Sequence, residues 1–202
     1  MIQTVRGTKD ILPSEISRWH FLERKFREIS ERFCYREIRT PVFEATELFV
    51  RGVGEQTDAV GKEMYTLSDK GSESISLRPE GTAPIVRSLI QHNLLNEAPV
   101  QRLWYLGPFF RYERPQKGRQ RQFHQFGAEL IGSPFPEADA EMIQLAFETL
   151  HELGISDTTL LLNSLGNPAS RQTYRLALID FLQSVKDRFC LLYTSPSPRD
   201  RG

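Results

Sequence analysis

Apolar residues recur at three- and four-residue spacing through Ile16, Trp19, Leu22, Phe26, Ile29 and Phe33. This predicts an amphipathic helix about 18 residues long, opened by Pro13-Ser14 with Ser14 as N-cap and Glu15 in the first turn. The run Arg36–Glu44 then reads as a strand. Pro41 has no N–H for a ladder, so that strand must lie at an edge or break there. Gly52–Lys62, with three glycines, reads as loop. Strands around Met64–Leu67 and Ser74–Arg78 flank the polar stretch Ser68–Glu73, which predicts a hairpin. A second helix starts near Thr82, where Pro84 is tolerated in the first turn, and faces the core with Ile85, Leu89 and Ile90.

Two long strands follow, Arg102–Glu113 and Gln122–Gly132, joined by Arg114–Arg121. A third helix spans Glu137–Leu153 and stops at Gly154 in the C′ position. After it come a strand at Thr158–Asn163 and a helix capped by Asn167, with Pro168 at N1. That helix carries Tyr174, Leu178, Phe181, Leu182, Val185 and Phe189 on one stripe. The order of elements predicts an α+β fold, a mixed and mostly antiparallel sheet flanked by helices. Periodicity stops at Leu191. Residues 191–202, with two Ser-Pro steps, read as a disordered or non-native tail resembling translated junction sequence, which leaves 1–190 as the folded part.

Strand parity separates packing from chemistry. In Gln122–Gly132 the odd positions are Phe123, Gln125, Gly127, Glu129 and Ile131; in Arg102–Glu113 they include Tyr105, Gly107, Phe109, Arg111 and Glu113. In Ile75–Glu80, Ser76, Arg78 and Glu80 share a side. If these segments form one sheet, its polar floor bears Glu80, Arg111, Glu113, Gln125 and Glu129, and the two glycines open the backbone to a ligand. A half-exposed antiparallel sheet also meets water with a polar face, but glycines that weaken strands have no place in that account. The connecting loop adds Arg114, Lys117, Arg119 and Arg121 to Arg111, five cations within 11 residues. Such a hairpin suits phosphate. Neither a Walker A sequence nor a G-x-G-x-x-G is present.

Charge sharpens the point. Twenty-six basic and 26 acidic residues leave a net charge of zero, which excludes nucleic-acid binding by global attraction and confines cationic function to that loop. The two cysteines, Cys34 and Cys190, lack CxxC spacing and read as free thiols of a reducing, cytoplasmic compartment. The four histidines lack ligand spacing, so no metal site is expected. No apolar run approaches the roughly 20 residues of a membrane helix, and Met1–Arg6 has no signal-peptide core.

The run Arg111–Gln125 closely resembles motif 2 of the class II aminoacyl-tRNA synthetases in its histidine-specific form. Leu77-Arg78-Pro79-Glu80-Gly81-Thr82 resembles that family's histidine-contacting segment. Arg39–Glu44 is similar to motif 1, and Arg6–Asp10 to the family's N-terminal segment. The resemblance implies a class II synthetase-like sheet and a two-step ligase. Histidine and ATP, with Mg2+, give histidyl-adenylate, and the histidyl group passes to tRNA(His). It implies that Arg111 bridges the α-phosphate and the histidine carboxylate. Glu113, Arg119 and Arg121 would orient ATP, and Phe123 would stack on adenine. Glu80, Thr82 and Gln125 would hold the ammonium group, and Glu129 would accept from the imidazole. It further implies a homodimer through the motif 1 segment, with Ile38, Pro41, Val42 and Phe43 at the interface.

Nothing in the chain matches the family's second histidine-specific segment, motif 3 or the anticodon-binding domain. The resemblance therefore implies a partial catalytic domain, inactive by itself. Two other readings compete. A synthetase-like regulatory subunit of ATP phosphoribosyltransferase shares the fold, but has no need of the intact Glu80-Gly81-Thr82 and Arg114–Arg121 segments. A free-standing nucleic-acid binder would use the basic loop, and zero net charge argues against it.

Overall fold

A computed structural model describes residues 2–53, 63–114, 116–164 and 166–186. The predicted tail, Cys190 and Phe189, and most of the Gly52–Lys62 loop lie outside these residues. The chain divides into two compact units, residues 1–156 and 157–202.

In the first unit, helix α1 spans Pro13–Arg32 and starts two residues earlier than an N-cap at Ser14 predicts. Pro13 sits at N1 and Leu12 is the N-cap, without a side-chain bond, so Ser14 does not cap. Proline's fixed φ and missing N–H suit the first helical position. Pro41 does break the following strand. Strand β1 (Arg36–Glu37) pairs in parallel with β5 (Gln101–Phe110), while β2 (Phe43–Ala45) pairs antiparallel with β4 (Ser74–Leu77). The predicted hairpin forms as β3 (Thr66–Ser68) and β4, and the long hairpin as β5 and β6 (Gln122–Ile131). The strands make two sheets, β1-β5-β6 and β2-β4-β3, so the three segments of the polar floor do not share one sheet. Ladder partners decide membership: β4 is flanked on both sides, and only its C-terminal end meets β5, where the Phe110 N–H donates to the Arg78 carbonyl (3.0 Å).

Helix α2 (Thr46–Val53) was not foreseen. It buries Phe49 completely, and the Thr46 hydroxyl shares a hydrogen bond with the Ser76 hydroxyl (2.9 Å). Helix α3 (Thr82–Gln91) packs against it and buries Ile85 and Leu89, whereas Ile90 is exposed. Residues 85 and 89 are one turn apart on the same stripe, and residue 90 lies about 100° further around. A short helix α4 (Leu94–Glu97) leads into β5.

The even face of β5 and β6 carries the core. Tyr35, Trp104 and Leu145 are buried together, with Leu106, Phe126, Ala128, Leu130 and Met142 packed around them. Phe26 of α1 stacks on Phe126 with ring centroids 4.4 Å apart, and Trp19 meets His124 edge-on at 4.5 Å. Helix α5 (Pro136–Glu152) closes this layer and ends at Gly154, whose φ of +80° is the left-handed C′ position expected of it. Lys25 of α1 joins Glu152 of α5 at 2.9 Å.

In the second unit, helix α6 (Pro168–Ser184) begins as predicted, with the Asn167 side chain accepting from Ser170 N–H at 2.8 Å. Tyr174, Leu178, Phe181 and Leu182 are exposed. No strand forms at 158–163. A strand exists by its ladder, and none of the described residues pairs with this segment.

Candidate functional site: the odd face of the long hairpin

The β5–β6 register sets Tyr105 opposite Gly127, Gly107 opposite Gln125 and Phe109 opposite Phe123. Every one of these is an odd position, so they share the face turned away from the aromatic core. Here the glycines play a part other than the predicted one. A Cβ on Gly127 would collide with the Tyr105 ring, as would one on Gly81. A Cβ on Gly107 would lie 2.5 Å from Arg78 Nη2. The protein's own side chains, rather than open space for a ligand, lie against both strand glycines.

Two sets of groups converge on this floor. The first comes from the turn between β4 and α3. The Glu80 carboxylate accepts from the N–H groups of Thr82 (2.6 Å) and Ala83 (2.9 Å), capping α3 where its dipole is positive. The Thr82 hydroxyl crosses to β6 and donates to Glu129 Oε1 at 2.7 Å. Burial raises the pKa of Glu129, the Thr82 hydrogen bond opposes that rise, and the Glu80 charge adds to it. The Tyr105 hydroxyl is pushed up to about 12, by burial first and then by Glu129 and Glu80, and so stays protonated beside two carboxylates.

The second set comes from the end of β5. Arg111 donates Nε–H to the Pro79 carbonyl at 2.9 Å, and its guanidinium lies 5.2 Å from the Phe123 ring centroid. The loop beyond folds on itself. Arg119 pairs with Glu113 at 3.0 Å, and Arg121 donates to the Glu113 carbonyl at 3.3 Å and sits 4.3 Å over Tyr112. Arg114 and Lys117 are exposed. The Gly7 carbonyl accepts from the N–H groups of Arg121 (2.7 Å) and Gln122 (3.1 Å), which ties the N-terminal segment to this loop. Gly7 has a φ of +85°, a conformation natural to glycine, and a Cβ there would strike Arg121.

All the predicted ligand residues except Gln125 thus have a partner within this network; Gln125 stands on the same floor, opposite Gly107. Sequence reasoning missed Tyr105 and Arg78. The signal was present in Gly107 and Gly127, since a strand glycine marks a close approach from elsewhere. On the other side of the ribbon, a cavity of about 560 Å3 lies between α1 and Trp104; it reaches the Gly107 backbone and is lined by none of the charged groups of the floor. Of the predicted dimer segment, Pro41, Val42 and Phe43 are exposed on or beside β2, an edge strand, and Ile38 is half-buried.

Arranged this way, the floor offers a positive group beside an aromatic ring at one end and a carboxylate pair with hydroxyl donors at the other. That suits a ligand with an anionic end and a nitrogen-rich polar end. Comparisons with known proteins give the family. The family model of histidyl-tRNA synthetase matches residues 7–168. A histidine–tRNA ligase of Cyanothece sp. is 60% identical over 181 residues, covering 90% of this chain and 42% of the relative. One from Synechococcus sp. is 57% identical over 191 residues, covering 95% and 46%. The crystal structure of apo Staphylococcus aureus histidyl-tRNA synthetase superposes with a TM-score of 0.73 at 41% identity, covering 94% of this chain and 44% of that one. The chain therefore spans less than half the length of the curated relatives it matches. It belongs to the histidyl-tRNA synthetase family, with that family's class II α+β fold.

Proposed function

We propose that this chain forms the motif 1 and motif 2 part of a histidine–tRNA ligase catalytic domain, spanning residues 1–190. In the first step an oxygen of the histidine carboxylate attacks the α-phosphorus of ATP and pyrophosphate leaves. In the second, the terminal ribose hydroxyl of tRNA(His) attacks the carbonyl carbon and AMP leaves. The observation that carries this reading is the placement of Arg111 and the Thr82–Glu129 pair on one glycine-lined floor.

Arg111 serves both substrates at the reacting centre, where a fixed cation stabilises the charge that builds on the α-phosphate. Glu113, Arg119 and Arg121 orient the nucleotide from the loop, and Phe123 offers a ring to adenine. Glu80, Thr82 and Gln125 receive the histidine ammonium group. Glu129 accepts from the imidazole; a substrate lacking that donor leaves a desolvated carboxylate unpaired, which is how such a site rejects it. Mg2+ enters with ATP. Among the described residues no group of three His, Cys, Asp or Glu side chains could hold a metal by itself. Mg2+ commonly takes one or two carboxylates and completes its shell with phosphates and water, and Glu113 is the acidic group in the loop able to share it.

We further propose a homodimer through Ile38, Pro41, Val42 and Phe43, supported by an exposed apolar edge that an intact protein must cover. A Phe43→Glu variant of the full-length enzyme is expected to sediment as monomer, and an unchanged dimer would move the interface elsewhere. The proposed location is the cytoplasm, where charging occurs; among the described residues no helix is long and apolar enough to cross a membrane.

The functional test is ATP–pyrophosphate exchange by a full-length synthetase carrying this sequence as its N-terminal part. Exchange should require histidine. Exchange supported equally by other amino acids, or none at all, would overturn the reading.

A further inference from the structure

We infer that Arg78 is a positioning residue for adenylate formation, acting through the Pro79 carbonyl on Arg111; this role rests on the functional reading above. Arg78 is 7% exposed, yet its hydrogen bonds go to no carboxylate among the described residues. Nε–H donates to the Pro108 carbonyl (2.9 Å), and Nη1 donates to the carbonyl (3.0 Å) and hydroxyl (3.2 Å) of Thr40. The guanidinium lies 4.5 Å from the Phe109 ring centroid, and Nη2 lies 2.5 Å from where a Cβ on Gly107 would stand. Its main chain is held as firmly. The Arg78 N–H donates to the Val42 carbonyl (2.9 Å), and its carbonyl accepts from Phe110 (3.0 Å).

One residue therefore joins three segments: the stretch before β2, the turn after β4, and the end of β5. The next carbonyl along the chain, that of Pro79, is the one that receives Arg111 Nε–H. A shift of the 78–79 backbone moves the acceptor that aims Arg111. Reacting groups tolerate little of this, since a misplacement of about 1 Å can cost about a hundredfold in rate. A buried cation held by a planar fork to two carbonyls and a hydroxyl also explains why arginine stands here. A lysine has a single charged centre and cannot span acceptors on two segments with fixed geometry.

The test is a double-mutant cycle on histidine-dependent ATP–pyrophosphate exchange, using the full-length synthetase carrying this sequence. Arg78→Lys is expected to lower kcat about tenfold or more with a much smaller change in KM for histidine, the signature of an interaction needed in the transition state. In an Arg111→Lys background the same substitution should cost less than about threefold, because the group it aims is already displaced. Equal losses in both backgrounds would overturn the role and leave Arg78 as a part of the frame only. If Arg78→Lys does not fold, Thr40→Val decides, since it withdraws one acceptor and leaves the carbonyl bonds. Its smaller loss of kcat should likewise vanish in the Arg111→Lys background, and persistence there overturns the proposal. Exchange absent from the unsubstituted enzyme would overturn the adenylation reading itself, whereas exchange with additive losses removes only Arg78.

Discussion

The two faces of the β5–β6 ribbon are built from the same ten-residue strands in the same register, yet they do opposite things. The even face is aromatic and aliphatic, clamped by α1 and α5, and Trp104 at its centre is 2% exposed. The odd face carries Tyr105, Gln125, Glu129 and two glycines, and its polar atoms hold one another in place across segments distant in sequence. The alternation of a strand places the aromatic cluster on one side and the convergent polar groups on the other, although Leu103 and Phe109 are buried on the odd side as well. What differs is how each face tolerates loss: packing fails by degrees, whereas a polar network fails when one partner goes.

That contrast can be broken by experiment. The largest effect should come from the odd face. Arg111→Ala in the full-length enzyme should lower histidine-dependent pyrophosphate exchange about 10²–10³-fold with the melting temperature nearly unchanged. A loss below about threefold would remove Arg111 from the catalytic set. Next, Trp104→Ala on the even face should cost about 3–5 kcal/mol of stability in denaturant titration, the usual penalty for emptying a buried aromatic site. Michaelis constants of the fraction that stays folded should barely move. A selective rise in KM for histidine would show that the faces are not independent.

Glu129→Gln gives the finest test, since it changes charge and hardly changes shape. The Michaelis constant for histidine should rise at least about tenfold with little change for ATP, because the lost charge serves one substrate only. Stability should move the other way. Burial raises the pKa of Glu129, so its stabilising contribution is complete below the unfolded carboxylate pKa and is lost as pH rises through the folded value. The glutamine variant, neutral throughout, should therefore melt above the parent at neutral pH, and the difference should fade near about pH 4. A variant that melts lower at pH 7 would mean that Glu129 holds the sheet together rather than reading a ligand.

Much of this was legible in the residues. The parity of 104–112 and 122–131 separated core from floor, and Pro41 marked the break between β1 and β2. The helix caps at Asn167 and Gly154 could be read because they are local chemistry. The misreadings concern longer range. Whether β4 joins β5 is settled by which strand flanks it, and no local pattern carries that information. Helix α2 is hidden in the sequence because its fully buried Phe49 lies close to a glycine-rich stretch that reads as loop. Arg78 reads only as a member of the polar side shared with Ser76 and Glu80; its burial follows from the seam between two sheets. Roles toward ATP and histidine came from the motif resemblance and not from periodicity.

The Lys25–Glu152 pair has a consequence for the order of events at the ribosome. Its partners stand 127 residues apart, so at the usual roughly 5–20 residues per second α1 waits about 6–25 s for α5 to be made. Throughout that interval Trp19, Phe26 and Ile29 lack the helix that later flanks them, and β6, which supplies Phe126, is completed only shortly before α5 begins. The nascent chain therefore carries the exposed apolar stripe of α1 over that interval, the kind of surface on which holding chaperones act.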